Sequence, residues 1–229
     1  MVKAVYPCTI VGTICSVLIV LILILTSIEL VAFDMDFYLE QYHKNNTTYV
    51  TGVTTDELLD FTDALLLYLK GERTDLYIKR SDGGYVFSER EIEHMKDVRQ
   101  LFIYGLLLRN TSLLIVIILI PIMAFIHDKM WAKYFSYTFM GVFVVILLVA
   151  LFIGISIIRD FDIMWDKFHH ILFTNDLWLL DPDNDILIMM MPEEFFINMI
   201  KIIAEYFFAG MGILFMVFLF LFRRYKKID

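Results

Sequence analysis

Cysteine is almost absent from this chain. Its two cysteines, Cys8 and Cys15, sit at the start of the first apolar run, and none lies in either long polar stretch. A disulfide framework in those stretches is therefore not expected, and both thiols read as small buried hydrophobes. Basic charge is also scarce: Lys+Arg total 19 against 27 Asp+Glu, a formal net charge of -8. With no basic aromatic face, nucleic acid is excluded as a partner. There is no G-x-S-x-G, P-loop or Ser-x-x-Lys signature, so neither a nucleophilic hydrolase nor an ATPase is indicated. H-E-x-x-H is missing too, and with no cysteine in the loops a zinc site is not expected. Asp181-Pro182-Asp183-Asn184-Asp185 begins like a calcium loop. Its sixth position is Ile186 rather than Gly and its twelfth is Pro192 rather than Glu, so it reads as a structural turn and no metal is expected. Internal repeats and low-complexity tracts are lacking, and so are the broken, charge-lined helices of a transport path.

Apolar residues are abundant, at 59% of the chain, with a mean hydropathy of +0.71. This is the composition of an integral membrane protein with a small extramembrane part. Four stretches are long enough to span a bilayer, which takes about 20 apolar residues. They run over about 10–33, 101–126, 135–158 and 195–222. The first is too long for a signal-peptide core and lacks a small-residue cleavage site, so it counts as a helix. Lys3, the His127-Asp128-Lys129 connection with Lys133, and the closing Arg223-Arg224-Tyr225-Lys226-Lys227 place both termini in the cytoplasm by the positive-inside rule. The long loops, about 34–100 and 159–194, then lie outside. Both are acidic. The second carries nine carboxylates against only Arg159 and Lys167.

The first outer loop has the marks of folded structure. Thr54 and Glu57 are spaced as a capping box, apolar residues follow at helical spacing from Leu58 to Leu69, and Gly71 suits a helix C-cap. Leu76-Tyr77-Ile78 and Tyr85-Val86-Phe87 flank Ser81-Asp82-Gly83-Gly84, which predicts a β-hairpin. In the second loop, Phe161 to Phe173 has aromatic and apolar residues at helical spacing. Greasy and acidic turns then alternate up to Met191, as in a segment lying in the headgroup layer. The expected fold is all-α integral membrane, one domain over 1–229: four transmembrane helices with an extracellular cap of short helices and a β-hairpin.

Chemistry concentrates at two places. Ser88 to Phe102 starts as a charged helix, with Ser88 and Glu91 as a second capping box, and runs without a break signal into the second span. His94 and Asp97 are three apart and share a face. They read either as a general base oriented by a carboxylate or as a polar helix turn with an incidental ion pair. His169 and His170 lie in the apolar helix of the second loop. Adjacent residues point about 100° apart, so only one can face a given site. Each is open to a catalytic role or to that of a water-bonded interfacial histidine. Arg109 lies inside the second span, a costly place for a charge. It reads either as a group reaching a lipid carbonyl or phosphate or as a snorkelling cation paired with Glu29 or Glu205.

Taken together, two blocks carry a resemblance. The first is Phe87-Ser88-Glu89-Arg90-Glu91-Ile92-Glu93-His94-Met95-Lys96-Asp97-Val98. The second runs from Phe168-His169-His170-Ile171-Leu172-Phe173 through Asn175-Asp176-Leu177-Trp178 and Asp181-Pro182 to Met191-Pro192-Glu193-Glu194-Phe195-Phe196. In this order and at these places, the pair resembles the bacterial lipoprotein intramolecular transacylase family, four-helix membrane proteins of low-GC Gram-positive bacteria. The resemblance covers the whole topology.

It implies a reaction. The substrate is a lipoprotein bearing diacylglyceryl on its N-terminal cysteine. One ester-linked acyl chain moves from that glyceryl to the α-amino group of the same cysteine, giving the lyso form. The resemblance also implies a catalytic histidine pair, carried onto His94 and, by the F-H-x-x-x-F register, onto His169 rather than His170. Asp97 is expected to orient His94, and Arg90 or Arg109 to steady the oxyanion or the lipid head. His170, Trp178 and Asp181 count as supporting residues. No cofactor is expected, because ester to amide is downhill, and no acyl-enzyme is needed when amine and ester share one molecule. The implied partners are the diacylglyceryl lipoprotein and membrane lipid, met at the outer face of the cell membrane. The competing readings are a non-enzymatic membrane sensor or assembly protein and a membrane lipid hydrolase.

Overall fold

The computed structural model describes residues 2–80, 83–127 and 130–226. Among them the chain is helical almost throughout: α1 (Val2–Ala32), α2 (Met35–Lys44), α3 (Thr47–Thr51), α4 (Thr55–Lys70), α5 (Glu89–His127), α6 (Met130–Arg159), α7 (Phe161–Leu172), α8 (Ile186–Met190) and α9 (Glu193–Lys226). Four of these, α1, α5, α6 and α9, are long and apolar enough to cross a membrane, and they contain the four expected spans. The protein is a multi-pass membrane protein. Asp128, Lys129 and Lys227, used to orient the chain, lie outside the described residues.

The chain divides into two compact units. The first comprises Met1–Ser27, Leu107–Met164 and Ala204–Asp229. Its core is made of Cys8 and Cys15 of α1, Met123 of α5, Phe135 and Phe139 of α6, and Phe207, Met211 and Phe218 of α9. Ring stacking locks α6 to α9: Phe139 lies on Phe218 at 4.3 Å and Phe143 on Phe215 at 4.6 Å. A Cβ at Gly12 would meet Thr138 Oγ1 at 2.8 Å, so α1 and α6 approach closely there only because position 12 has no side chain. The outward residues are apolar as well, among them Phe125, Phe152 and Ile158, as a lipid-facing surface requires.

The second unit comprises Ile28–Leu106 and Trp165–Ile203. Both expected capping boxes are present. Thr54 caps α4 reciprocally with Glu57, and Gly71 closes that helix at φ +83°. At the start of α5, Glu91 N donates to Ser88 Oγ (3.3 Å) and Ser88 N donates to the Glu91 carboxylate (2.6 Å). The core gathers Phe37, Tyr38 and Tyr42 of α2, Leu58 and Leu65 of α4, Ile92 and Met95 of α5, Ile186 and Met190 of α8, and Phe195 of α9. Two pairs of polar side chains bond within it: Tyr42 Oη with Thr62 Oγ1 at 2.6 Å, and Asn198 Nδ2 with Gln41 Oε1 at 2.8 Å.

The expected β-hairpin is reduced to a single bridge. Among the described residues there is no strand, only an antiparallel bridge between Lys79 and Tyr85. The arms pair in register only around that bridge, where Arg80 N donates to Gly84 O (2.7 Å) and Val86 N to Ile78 O (2.8 Å). Before it the first arm spends its backbone locally: Ile78 N donates to Leu76 O (2.9 Å) and Tyr77 N to the Asp75 carboxylate (3.1 Å). Leu76, Val86 and Phe87 turn into the helical core instead of lining a pleated face. The turn residues Ser81 and Asp82 lie outside the described residues.

Candidate active site

His94 and His169 come together in the second unit. Their ring centroids are 6.2 Å apart, with the planes tilted by 43°. Both are buried, His94 to 8% and His169 to 5% residual exposure. His170, turned about 100° from His169 on the helix, is exposed and meets the Trp178 ring edge-on at 5.3 Å.

His169 is held by an aromatic surround. Trp178 stacks on it at 4.5 Å and 18°, Trp165 meets it edge-on at 4.5 Å, and Phe173 lies over it at 5.8 Å. Its Nδ1 is 2.8 Å from the Trp165 carbonyl one helical turn earlier. A carbonyl only accepts, so Nδ1 carries the hydrogen and the Nε2 lone pair is left to act as a base. Burial pushes the His169 pKa below the usual histidine range, against the opposing pull of the Trp165 carbonyl and Asp166. Burial acts more strongly on His94. With the neighbouring His169 adding to it and Asp97 opposing, the pKa falls to about 4. Both imidazoles are neutral at neutral pH. Phe173 touches both rings, meeting His94 edge-on at 5.3 Å.

The remaining expected residues divide by place. Asp97 does not hydrogen-bond His94 among the described residues; its carboxylate accepts from Asn175 Nδ2 at 2.9 Å. Arg90 donates to the Asp176 carbonyl. These two bonds tie the segment between α7 and α8 to the first turns of α5. Asp181 organises the turn before α8, accepting from Asp183 N and Asn184 Nδ2, and those bonds hold its carboxyl below the usual carboxylate range. Arg109 belongs to the first unit, where its guanidinium donates to Asn110 Oδ1.

Glu91 was visible only as a capping residue, and it does more. It is buried, and while one oxygen accepts from Ser88 N, the other accepts from Leu187 N at the start of α8. Ser88 Oγ in turn donates to Asp185 (2.9 Å), which also accepts from Asp181 N (2.8 Å). Desolvation raises the Glu91 pKa even though these donors favour its charged form. The turn of α5 that carries His94 is thereby fixed to α8. Trp165 was legible as an aromatic four residues before His169. Its carbonyl's part in setting the tautomer was not.

A profile of the family described as "Lipoprotein intramolecular transacylase Lit" matches residues 13–196, a range that includes both histidines. Curated proteins give no match. Among solved structures, the membrane integral lipoprotein intramolecular transacylase Lit from Bacillus cereus is similar at 20% identity. That match covers 98% of this chain and 99% of the other, with a TM-score of 0.79. A second structure of the Bacillus cereus protein, with a histidine replaced by arginine, matches at 19% identity over 98% and 96% of the two chains, with a TM-score of 0.76. At such identities the solved structures establish the fold. The family profile spans most of the sequence, and the chain belongs to the lipoprotein intramolecular transacylase family.

Proposed function

We propose that His169 and His94 carry out intramolecular acyl transfer on a diacylglyceryl lipoprotein. An O-ester acyl chain moves to the α-amino group of the N-terminal cysteine. The observation that carries this reading is the pair of buried, neutral imidazoles 6.2 Å apart, one of them with its tautomer fixed so that Nε2 faces its task as a base. An α-amino group has a pKa of about 8, so a sizeable free fraction exists at neutral pH. Its nitrogen attacks the ester carbonyl, and His169 Nε2 takes the proton that the nitrogen then sheds. His94 returns a proton to the departing glyceryl oxygen. Because burial keeps His94 neutral beforehand, that proton is the one released by the amine, passed across within the turnover. The products are an amide and a free glyceryl hydroxyl, with no net proton change. Holding both reactants on one molecule supplies effective molarities on the order of 10⁵ M or more, which suits a site without a Ser or Cys nucleophile.

Around this centre we place Asp97 and Arg90 as clamps for the Phe173–Trp178 segment, Trp178 as the support of the His169 ring, and Asp181 as a former of the turn. We assign the acidic second unit to the extracellular side, as the cap of the four spans, and both termini to the cytoplasm. The lipoprotein and its surrounding lipid then meet the histidines at the outer leaflet.

The test uses a lipoprotein with diacylglyceryl-cysteine and a free amine, incubated with the protein in liposomes with chelator and no acyl donor. Mass spectrometry of the N-terminal lipopeptide should show an N-acyl product of unchanged total mass. His94→Ala and His169→Ala should each reduce the rate at least about 10²-fold, the scale of general acid–base catalysis. His170→Ala should retain activity. Release of free fatty acid would replace this reading with a hydrolase. No product from the wild-type protein would favour a non-enzymatic role.

A further inference from the structure

We infer that the indole N–H of Trp178 is the hydrogen-bond donor to the oxyanion of the tetrahedral intermediate. This rests on the acyl-transfer reading above.

Few buried side-chain polar atoms lack a partner among the described residues, and two of them flank His169: His94 Nδ1 and Trp178 Nε1. A buried donor without an acceptor is destabilising, so native proteins rarely keep one without use. An imidazole nitrogen can be donor or acceptor. An indole nitrogen is donor only, and it can be satisfied only by an acceptor brought to it. Trp178 is 7% exposed and stacked 4.5 Å from His169 at 18°, so its N–H lies in a plane nearly parallel to the imidazole. The attacking nitrogen and the oxyanion hang from the same carbon, so the base and the oxyanion donor must be neighbours. Stacked rings meet that condition.

Two other donors of this region are committed: Arg90 is held on the Asp176 carbonyl and Asn175 on Asp97. Both of those ties are on exposed groups, and they hold the Phe173–Trp178 segment to α5.

The step balances. The amine lone pair forms the C–N bond, and the carbonyl π pair moves to oxygen, which accepts the Trp178 N–H. The nitrogen's proton passes to His169. Collapse restores C=O and breaks the C–O bond to glyceryl, whose oxygen is protonated from His94, and the proton held on His169 passes to His94 so that both rings end neutral. Trp178 exchanges no proton and stabilises only the charge that develops, the condition for raising kcat rather than binding.

The experiment replaces Trp178 with β-(3-benzothienyl)alanine, which keeps the bicyclic shape and exchanges N–H for sulfur, in the full-length protein in liposomes. Trp178→Phe is a second variant, made by ordinary mutagenesis. We expect kcat to fall about 10²–10³-fold, as when one oxyanion donor is removed, with KM and thermal stability near wild type. Wild-type kcat in the benzothienyl variant would overturn the inference and leave Trp178 as packing alone. If neither variant folds, the wild-type protein decides. On binding a phosphonate analogue of the tetrahedral intermediate, one indole N–H resonance should move downfield, and an unmoved set of indole signals would overturn the inference. Failure of the acyl-transfer reading looks different: the wild-type protein itself then yields no N-acylated product.

Discussion

The two units handle polar groups in opposite ways. In the first, buried hydroxyls bond back to their own helix: Ser16 to the Gly12 carbonyl at 2.7 Å, Ser27 to Leu23 at 2.9 Å, and Ser136 to Ala132 at 2.6 Å. In the second, side chains reach across the sequence: Ser88 to Asp185, Glu91 to Leu187, Asp97 to Asn175 and Gln41 to Asn198. A helix in lipid must satisfy its own groups, and a hydroxyl folded onto the preceding turn asks nothing of its neighbours. Such a helix is placed by shape, through stacks such as Phe139 on Phe218 and the close approach at Gly12. A catalytic pair needs fixed geometry, and long-range hydrogen bonds supply it. The proposed histidine pair lies in the unit whose polar groups are tied over distance.

The sharpest way to break the contrast is at Glu91. Glu91→Ala removes the acceptor of two backbone donors, Ser88 N and Leu187 N, in a buried place. With each orphaned donor destabilising by about 1–3 kcal/mol, a loss of about 2–6 kcal/mol is expected. It should fall on the second unit alone. Hydrogen exchange should speed up at the α8 amides and the first turns of α5, and acyl transfer should fail. The exchange of α6 should stay as it was. Uniform loosening of both units would refute the division.

The next effect is set by pH. Burial holds the His94 pKa at about 4 in the folded chain, against 6.5 unfolded. Between those values the unfolded chain binds a proton and the folded one does not. Stability is therefore whole above about pH 6.5 and falls as the pH drops through the window. By about pH 4 the loss reaches about 3 kcal/mol, at 1.36 kcal/mol per unit. His94→Gln should flatten that acid loss while abolishing activity. An unchanged slope in the variant would mean that His94 is not the group responsible.

The same contrast explains what the sequence disclosed. Spans are long uniform runs, and their signal survives any detail of packing. Capping boxes at Thr54 and Ser88 are local chemistry, and both are present. The hairpin is shorter than expected because alternating apolar residues look alike whether they line a pleated face or, as with Leu76, Val86 and Phe87, plug a helical core. Helix α3, five residues long, is too short to show a period, whereas α2 had its helical spacing in Phe37, Tyr38, Gln41 and Tyr42, and it went unread beside the stronger signal of the first span. At the site, the residue types were readable, but their partners were not. Asp97 three residues from His94 suggested an orienting carboxylate, yet it is occupied by Asn175 from the far end of the chain. Spacing reports which face a residue shares, and a competing partner 78 residues away leaves no trace in it.

The smallest expected effect sharpens the comparison most, because it sets two fully buried polar side chains against each other. Ser136 is as buried as Glu91, and its hydroxyl donates to the Ala132 carbonyl. That carbonyl is four residues back in the same helix and already serves the helical ladder, so Ser136→Ala leaves no group without a partner. Interhelical hydrogen bonds in membranes average about 0.6 kcal/mol, and a bond within one helix should be worth no more. The variant should therefore melt within a few degrees of wild type in detergent and transfer acyl chains at the wild-type rate. Glu91→Ala, measured in the same detergent, should be severely impaired. If Ser136→Ala proves as damaging as Glu91→Ala, the hydroxyl holds more than its own helix, and polar groups in the first unit position structure over distance just as those of the second do.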